Sequence, residues 1–245
     1  MAGDFTQYGI KFQEKMVALF GRIHVKHDAA IIGMVFGERM FDASSFPLYP
    51  ALLKYLNLYQ SSSSRPLLID AGANIGAASR YFNEVYQSIK ILAIEPDPEN
   101  AALAAANLKM TDAEIITAAL SSEDGTLFIN DLDFEPIGYR VGRSGNKQVP
   151  AFSIPTILSR FAEGTFPFVI KIDIEGGEVD VFEKNVEWLD QFALVIIELH
   201  DWMLPGEGCS RNFFKSIGKF DFDILVRGEN TFCFNNRLLR KLRTG

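Results

Sequence analysis

The sequence predicts an α/β domain: a mostly parallel sheet covered by helices on both faces, ending in an antiparallel strand and preceded by a helical cap. Three observations carry this. From Pro66 onward, short apolar runs alternate with segments of helical spacing, the signature of right-handed βαβ units. The first two runs each end in an acid, at Asp70 and Glu95, and each acid is followed by a turn and a helix start. The last two runs, Phe222–Val226 and Thr231–Phe234, flank Arg227-Gly228-Glu229-Asn230, a hairpin signal that adds an antiparallel strand.

The elements follow in order. Residues 1–65 form a leader, and residues 66–245 a ligand-binding domain. In the leader, Gln7 to Arg22 has helical spacing (Tyr8, Phe12, Met16, Leu19, Phe20). Phe46 to Tyr59 groups Leu52, Leu53, Leu56 and Tyr59 on one helical face. Ser61 to Ser64 is a polar linker. The leader serves either as a cap on the ligand site or as a scaffold with no ligand role. Leu67–Asp70 reads as a strand and Ala77–Val85 as a helix. Ile89–Glu95 is a strand, followed by a helix over Pro98–Lys109 that Pro98 and Glu99 open. Ile115–Leu120 is a strand, Thr126–Asn130 a short extra strand, and Asp131 to Gly145 a run of turns. Val169–Ile174 is a strand with a helix over Val179–Asn185. Leu194–Leu199 is a strand with a helix over Asn212–Gly218.

Length and composition bound the function. A chain of 245 residues buries about 70–75% of its unfolded surface and needs no disulfide or metal staple. Hydrophobic residues make up 48% and charged residues 22%, and the net charge is −7. That charge argues against nucleic acid as a partner, which would call for clustered Lys and Arg. The basic run Arg237 to Arg243 reads as a solvated C-terminus. Two cysteines, Cys209 and Cys233, with no CxxC, point to a reduced, cytoplasmic setting. Met1 to Phe5 lacks a signal-peptide pattern, and no apolar run approaches the ~20 residues of a membrane span.

In an α/β sheet ligands sit beyond the carboxyl ends of the strands, so the residues at those ends are the candidates for binding. After the first strand come Asp70, Gly72, Asn74 and Gly76. An acid there suits a cationic amino group rather than a pyrophosphate, and glycines let the backbone approach a ligand. The following helix N-terminus suits a carboxylate. An adenosyl ligand with an amino-acid tail, S-adenosylmethionine, fits both. Glu95, about 25 residues on, is placed to accept both ribose hydroxyls. Asp97 reads as the cap of the next helix and lies beside the cofactor. Ala119 falls at the third strand end, near the adenine.

On the strand Phe168 to Ile174, Lys171, Asp173 and Glu175 alternate with isoleucines. Asp173 lies near the open end, where the methyl group would be. Glu178 begins the next helix, where its charge complements the dipole. Glu198 and His200 share one face at the end of the following strand, and His200 is the natural general base. His24 and His27 lie in the leader and carry no expected catalytic role. Asp173, Glu198 and His200 also resemble a carboxylate–imidazole set that can hold Mg²⁺ or Mn²⁺. The metal-free reading is preferred, with no residue assigned as a metal ligand.

Taken together, Asp70-Ala71-Gly72-Ala73-Asn74-Ile75-Gly76, Glu95-Pro96-Asp97 and above all Lys171-Ile172-Asp173-Ile174-Glu175-Gly176-Gly177-Glu178 resemble the FkbM family of S-adenosylmethionine-dependent methyltransferases. The resemblance spans about Pro66 to His200, and Gly177 departs from the family's usual alanine. It implies a class I methyltransferase (Rossmann-like) fold, a seven-stranded sheet whose last strand is antiparallel. It also implies O-methylation of a sugar, glycan or natural-product hydroxyl. On this reading Asp70 binds the methionine ammonium and Glu95 the ribose. Asp173 and His200 orient or deprotonate the acceptor, and Glu198 fixes His200. The segments Asp131 to Pro150 (with Gly138, Gly142 and Gly145) and Trp202 to Cys209 are expected to line the acceptor mouth. The rival readings are a nicotinamide-dependent oxidoreductase, which would want GxGxxG where this chain has Ala-Gly-Ala-Asn-Ile-Gly, and a non-catalytic adenosyl-binding protein.

Overall fold

The computed structural model describes residues 5–60, 64–130, 140–142, 144–145 and 147–243. The chain opens on a hairpin, β1 (Phe5–Phe12) and β2 (Lys15–Arg22), followed by α1 (Lys26–Ile32), a π-helical turn over Gly33–Gly37, and α2 (Tyr49–Gln60). Alternating units follow: β3 (Arg65–Ala71), α3 (Ala77–Val85), β4 (Lys90–Ile94), α4 (Pro98–Asn107) and β5 (Ala113–Ile116). An inserted small sheet contains β6 (Ala119–Leu120), β7 (Gly125–Asn130), β8 (Arg140–Gly142) and β9 (Lys147–Phe152). Then come α5 (Ile154–Phe161), β10 (Thr165–Ile172), α6 (Glu178–Val181), β11 (Leu194–Glu198), α7 (Cys209–Ile217), β12 (Phe222–Arg227), β13 (Asn230–Asn235) and α8 (Asn236–Leu239).

The main sheet has seven strands in the order β12-β13-β11-β10-β3-β4-β5. β3 pairs in parallel with both β4 and β10, β10 with β11, and β4 with β5; β13 runs antiparallel to β11 and β12. This is the seven-stranded, mostly parallel sheet expected from the sequence. The order reverses between β3 and β10, so the carboxyl ends of those two strands mark the ligand crevice.

Both faces of the sheet are buried, which explains why its central strands read as near-continuous apolar runs. One face packs Leu68, Ile91, Val169, Leu194 and Phe232 against the leader, α2 and α3. The other packs Ile69, Leu92, Ile170, Val195 and Cys233 against α5, α6 and α7. The thiols of Cys209 and Cys233 are both buried. Among the described residues no helix is long and apolar enough to cross a membrane.

The leader corrects one expectation. Gln7 to Arg22 is a two-stranded hairpin and not a helix. Its turn places Gln13 at φ 53. Tyr8, Phe12, Met16 and Leu19 fit a helical face on paper, but period-two alternation wins. Phe12, Val17 and Leu19 are buried, whereas Met16 is 70% exposed. The run Ile115–Leu120 also divides, between β5 in the main sheet and β6 in the small one. β8, which replaces part of the expected turns, and β9, α5 and α1 had no counterpart in the sequence reading. Most of the Asp131 to Gly145 segment, including Gly138, lies outside the described residues. The basic C-terminus packs as α8 and a following turn, where Arg237, Arg240 and Arg243 pair with Asp190, Asp221 and Asp223.

Candidate active site

At the switch point between β3 and β10, a cavity of about 290 Å³ opens beyond the strand ends. The turn after β3 forms one side. Gly72 and Ala73 both donate backbone N–H to Ile94 O, at 2.9 and 3.0 Å. Gly72 sits at φ 74, and a Cβ there would overlap the carbonyl oxygen of Asp173. Asn74, at φ 50, donates its backbone N–H to Glu95 Oε2 at 2.7 Å. Its side-chain Oδ1 is buried and has no hydrogen-bond partner among the described residues. Glu95 is 4% exposed and also accepts from Asp97 N at 2.9 Å. Burial raises its pKa to about 7, against the lowering effect of those two backbone bonds. Gly72, Asn74, Glu95 and Ala119 all line the cavity.

Three other expected cofactor residues are placed differently. Asp70 does not reach the cavity. It is fully buried, directly across from Lys171 in the β3–β10 register, with Oδ1 3.2 Å from Lys171 Nζ. Its Oδ2 accepts from Ser79 Oγ at 2.7 Å. Lys171 is thus its charged partner, while Oδ1 has no hydrogen-bond partner among the described residues. Gly76, at φ 81, lies under α4: a Cβ there would come within 3.2 Å of Ala104 and Leu108. It serves helix packing and not ligand approach. Asp97 does the capping that its position before Pro98 suggests, accepting from Glu99 N and Asn100 N. It is not among the lining residues.

Lys171 is 3% exposed. Burial alone would depress its pKa, but the charges of Asp70 and Asp173 raise it well above the ordinary lysine value. Nζ also donates to Gly72 O at 2.8 Å, so one cation ties together the turn, the interior acid and Asp173 (3.5 Å). The signal for this was legible: a lysine and an acid inside a doubly covered sheet require partners.

The opposite side of the cavity holds the residues that the sequence reading assigned to the acceptor. β10 stops at Ile172, and the chain leaves the sheet through Glu175 and Gly176 at φ 54 and 95. Asp173, Glu175 and Glu198 line the cavity. Around them stands His200, 1% exposed, with Nε2 at 3.6 Å from Asp173, 3.4 Å from Glu175 and 3.6 Å from Glu198. Its Nδ1 donates to Glu178 Oε1 at 2.9 Å. The partner that holds the ring is therefore Glu178 and not Glu198, since Glu198 approaches only Nε2 and at longer range. One donor atom each from Asp173, Glu175 and His200 lies within 4.8 Å of the others.

The electrostatics follow from this crowding. Burial works against charge on His200, but the hydrogen bond and charge of Glu178, with Asp173 and Glu175, outweigh it and lift its pKa to about 9. At neutral pH the ring is a cation, which differs from the free base expected of it. Burial and the neighbouring Asp173 raise Glu175 to about 8 and Glu198 to about 7. The carboxylates thus titrate near neutrality, where a proton acceptor is most useful.

A pH effect on stability follows, with its sign fixed. Glu95, Glu175 and Glu198 have raised folded pKa values, so the native state holds more protons than the unfolded state above about pH 4.5. His200 gains stability from its proton below the ordinary histidine value, and that gain is lost as pH rises through about 9. Both contributions make the native state the better proton binder, so stability falls with rising pH. The ligand-free protein is expected to lose thermal stability steadily between pH 6 and 9, a window in which ordinary carboxylates are already ionised. Scanning calorimetry checks this, and a melting temperature that is flat or rising over that window contradicts it.

The leader also reaches the cavity, which the sequence left open. Ile31, Met34, Val35, Met40 and Phe41 form its apolar wall, with His27 beside them. Of the segment Trp202 to Cys209, Trp202 lines it too.

The site sits at the switch point of a mostly parallel seven-stranded α/β sheet, with acids and a glycine turn at the strand ends. The chain belongs to the FkbM methyltransferase family, whose methyltransferase domain it matches over residues 70–225. It is 43% identical over 68 residues to methyltransferase sdnD of Sordaria araneosa, covering 26% of each chain. It is 25% identical over 156 residues to the hexuronic acid methyltransferase AglP of Haloferax volcanii, covering 60% of this chain and 62% of that protein. The matched segments thus span about a quarter and about three fifths of these relatives. Among solved structures, the O-methyltransferase TomG of Streptomyces achromogenes aligns at a TM-score of 0.44 and 17% identity, covering 87% of this chain and 92% of that one. Monomeric WbdD aligns at 0.46 and 13% identity, covering 80% and 42%.

Proposed function

We propose that the protein is an S-adenosylmethionine-dependent O-methyltransferase acting on a hydroxyl of a sugar, glycan or natural product. The observation that carries this reading is that one cavity joins two halves. Glu95 with the orphaned Asn74 Oδ1 forms a polar cradle at one end, and the carboxylates around His200 sit at the other. Family membership supports the methyl-transfer chemistry, and the sugar acceptor named for AglP supports the acceptor class.

Bound S-adenosylmethionine supplies a methyl group made electrophilic by its sulfonium. The residues would do the rest. Glu95 would accept from the ribose hydroxyls, and Asn74 Oδ1 would accept from a ligand donor. The Gly72 turn would lie along the methionine tail, and the leader's apolar wall would exclude water. Asp173, Glu175 and Glu198 would accept hydrogen bonds from acceptor hydroxyls. Glu198, close to its titration point at neutral pH, would take the proton of the attacking oxygen. The His200 cation would hold these carboxylates together without a metal ion.

The test is calorimetric titration with S-adenosylmethionine, followed by mass spectrometry of hexuronic acids, other sugars and phenolic natural products incubated with both. Binding and a mass gain of one methyl on an oxygen, unaffected by chelator, are expected. Absence of binding, or binding of reduced nicotinamide instead, overturns the reading.

A further inference from the structure

We infer that Glu178 is a positioning residue of the methyl-transfer site, fixing His200 so that Nε2 is held against the carboxylates that line the acceptor end. This rests on the methyl-transfer reading of the cavity for its chemistry, but its geometry stands apart from it.

Glu178 is fully buried at the start of α6. A helix of four residues has little dipole to complement, so that role does not account for a carboxylate with no solvent exposure. Its Oε1 instead accepts from His200 Nδ1 at 2.9 Å, and from Gly176 N at 3.4 Å. Its Oε2 is buried with no partner among the described residues. A buried carboxylate this poorly hydrogen-bonded is costly unless a cation lies against it. His200 is that cation.

Two consequences converge on the acceptor end. First, the Nδ1 hydrogen bond removes the ring's freedom to flip, so Nε2 is held among Asp173, Glu175 and Glu198. Second, the Gly176 contact fastens the turn that carries Glu175, whose backbone lies at positive φ. One side chain therefore sets both the imidazole and the loop opposite it. Trp202, which also lines the cavity, lies beside the ring with centroids 6.4 Å apart.

The experiment is nitrogen-15 spectroscopy of the imidazoles at pH 7.5 in the full-length protein, its Glu178→Gln variant and its Glu178→Asp variant. There are three histidines, and His200→Gln assigns the signal. In the wild type both His200 nitrogens are expected to carry protons. In Glu178→Gln the Nδ1 resonance is expected to move from its wild-type position, because the charged acceptor that holds it is gone. On an acceptor that supports turnover, kcat is expected to fall about 100-fold with the affinity for S-adenosylmethionine unchanged, and Glu178→Asp to recover part of it. A wild-type His200 spectrum and wild-type kcat in Glu178→Gln overturn the inference. If that variant does not fold, the wild-type spectrum decides: an unprotonated Nδ1 overturns it. Failure of the protein to bind S-adenosylmethionine would sink the functional reading while leaving the His200 spectrum readable.

Discussion

Gly72→Ala is expected to destabilise the protein by about 3 kcal/mol or more and to abolish cofactor binding. The added methyl group would overlap the Asp173 carbonyl oxygen, and a backbone atom at the end of a neighbouring strand cannot rotate away. Relief requires β3 and β10 to part where Asp173 N bonds Ala71 O and Lys171 bonds Gly72 O. The melting temperature should fall on the order of 10 °C. Gly164→Ala provides the control. Gly164 also has positive φ, at 68, but nothing lies within 4 Å of a Cβ there. It should show the conformational cost alone, about 1 kcal/mol. Equal losses in the two variants would show that the steric overlap is relieved and the account of the joint is wrong.

Glu95→Gln is expected to weaken S-adenosylmethionine binding by about 100-fold or more. The carboxylate accepts two backbone N–H groups, one from Asn74 and one from Asp97. An amide can accept only one of them, and it turns its own NH₂ toward the other. The loss of a hydrogen bond to a charged group, about 1.5–3 kcal/mol, and the displacement of Asn74 both act against the ligand. Because burial raises Glu95 to about 7, and ribose hydroxyls favour the ionised form, wild-type affinity should increase as pH rises through 7. Calorimetry at pH 6 and 8 measures both effects. Unchanged affinity in the variant would remove Glu95 from the cofactor site.

The parts of this fold that were legible in the sequence are those whose signal is local. Asp97 before Pro98 announced a capped helix, and the runs around Arg227-Gly228 announced the closing hairpin, because capping and turn chemistry act over a few residues. Glu95 was legible because it ends a strand at the crevice. Other features depended on tertiary neighbours. Asp70 looked like a ligand group until the β3–β10 register placed Lys171 across from it. Glu178 lies 22 residues from His200, and nothing in its local sequence names that partner. The leader was misread at Gln7 to Arg22 because Tyr8, Phe12, Met16 and Leu19 happen to fall at helical spacing, whereas the side chains actually buried are Phe12, Val17 and Leu19 of a hairpin. Its contribution of Met34, Met40 and Phe41 to the cavity came only with packing.

The side chain of Asn107 joins distant parts of the chain. Its Oδ1 accepts from Phe20 N at 2.6 Å, and its Nδ2 donates to Phe20 O and to Ile75 O at 3.0 and 2.8 Å. Arg22 adds a second tie, bonding both Asp28 and Asn100. The opening hairpin is thereby bolted to the same helix that braces the Gly72–Gly76 turn. Amide exchange at Phe20 therefore reports on the integrity of the Gly72–Gly76 turn, although the two are more than fifty residues apart along the chain. A label on the exposed side of that hairpin would sense changes in the crevice without entering it.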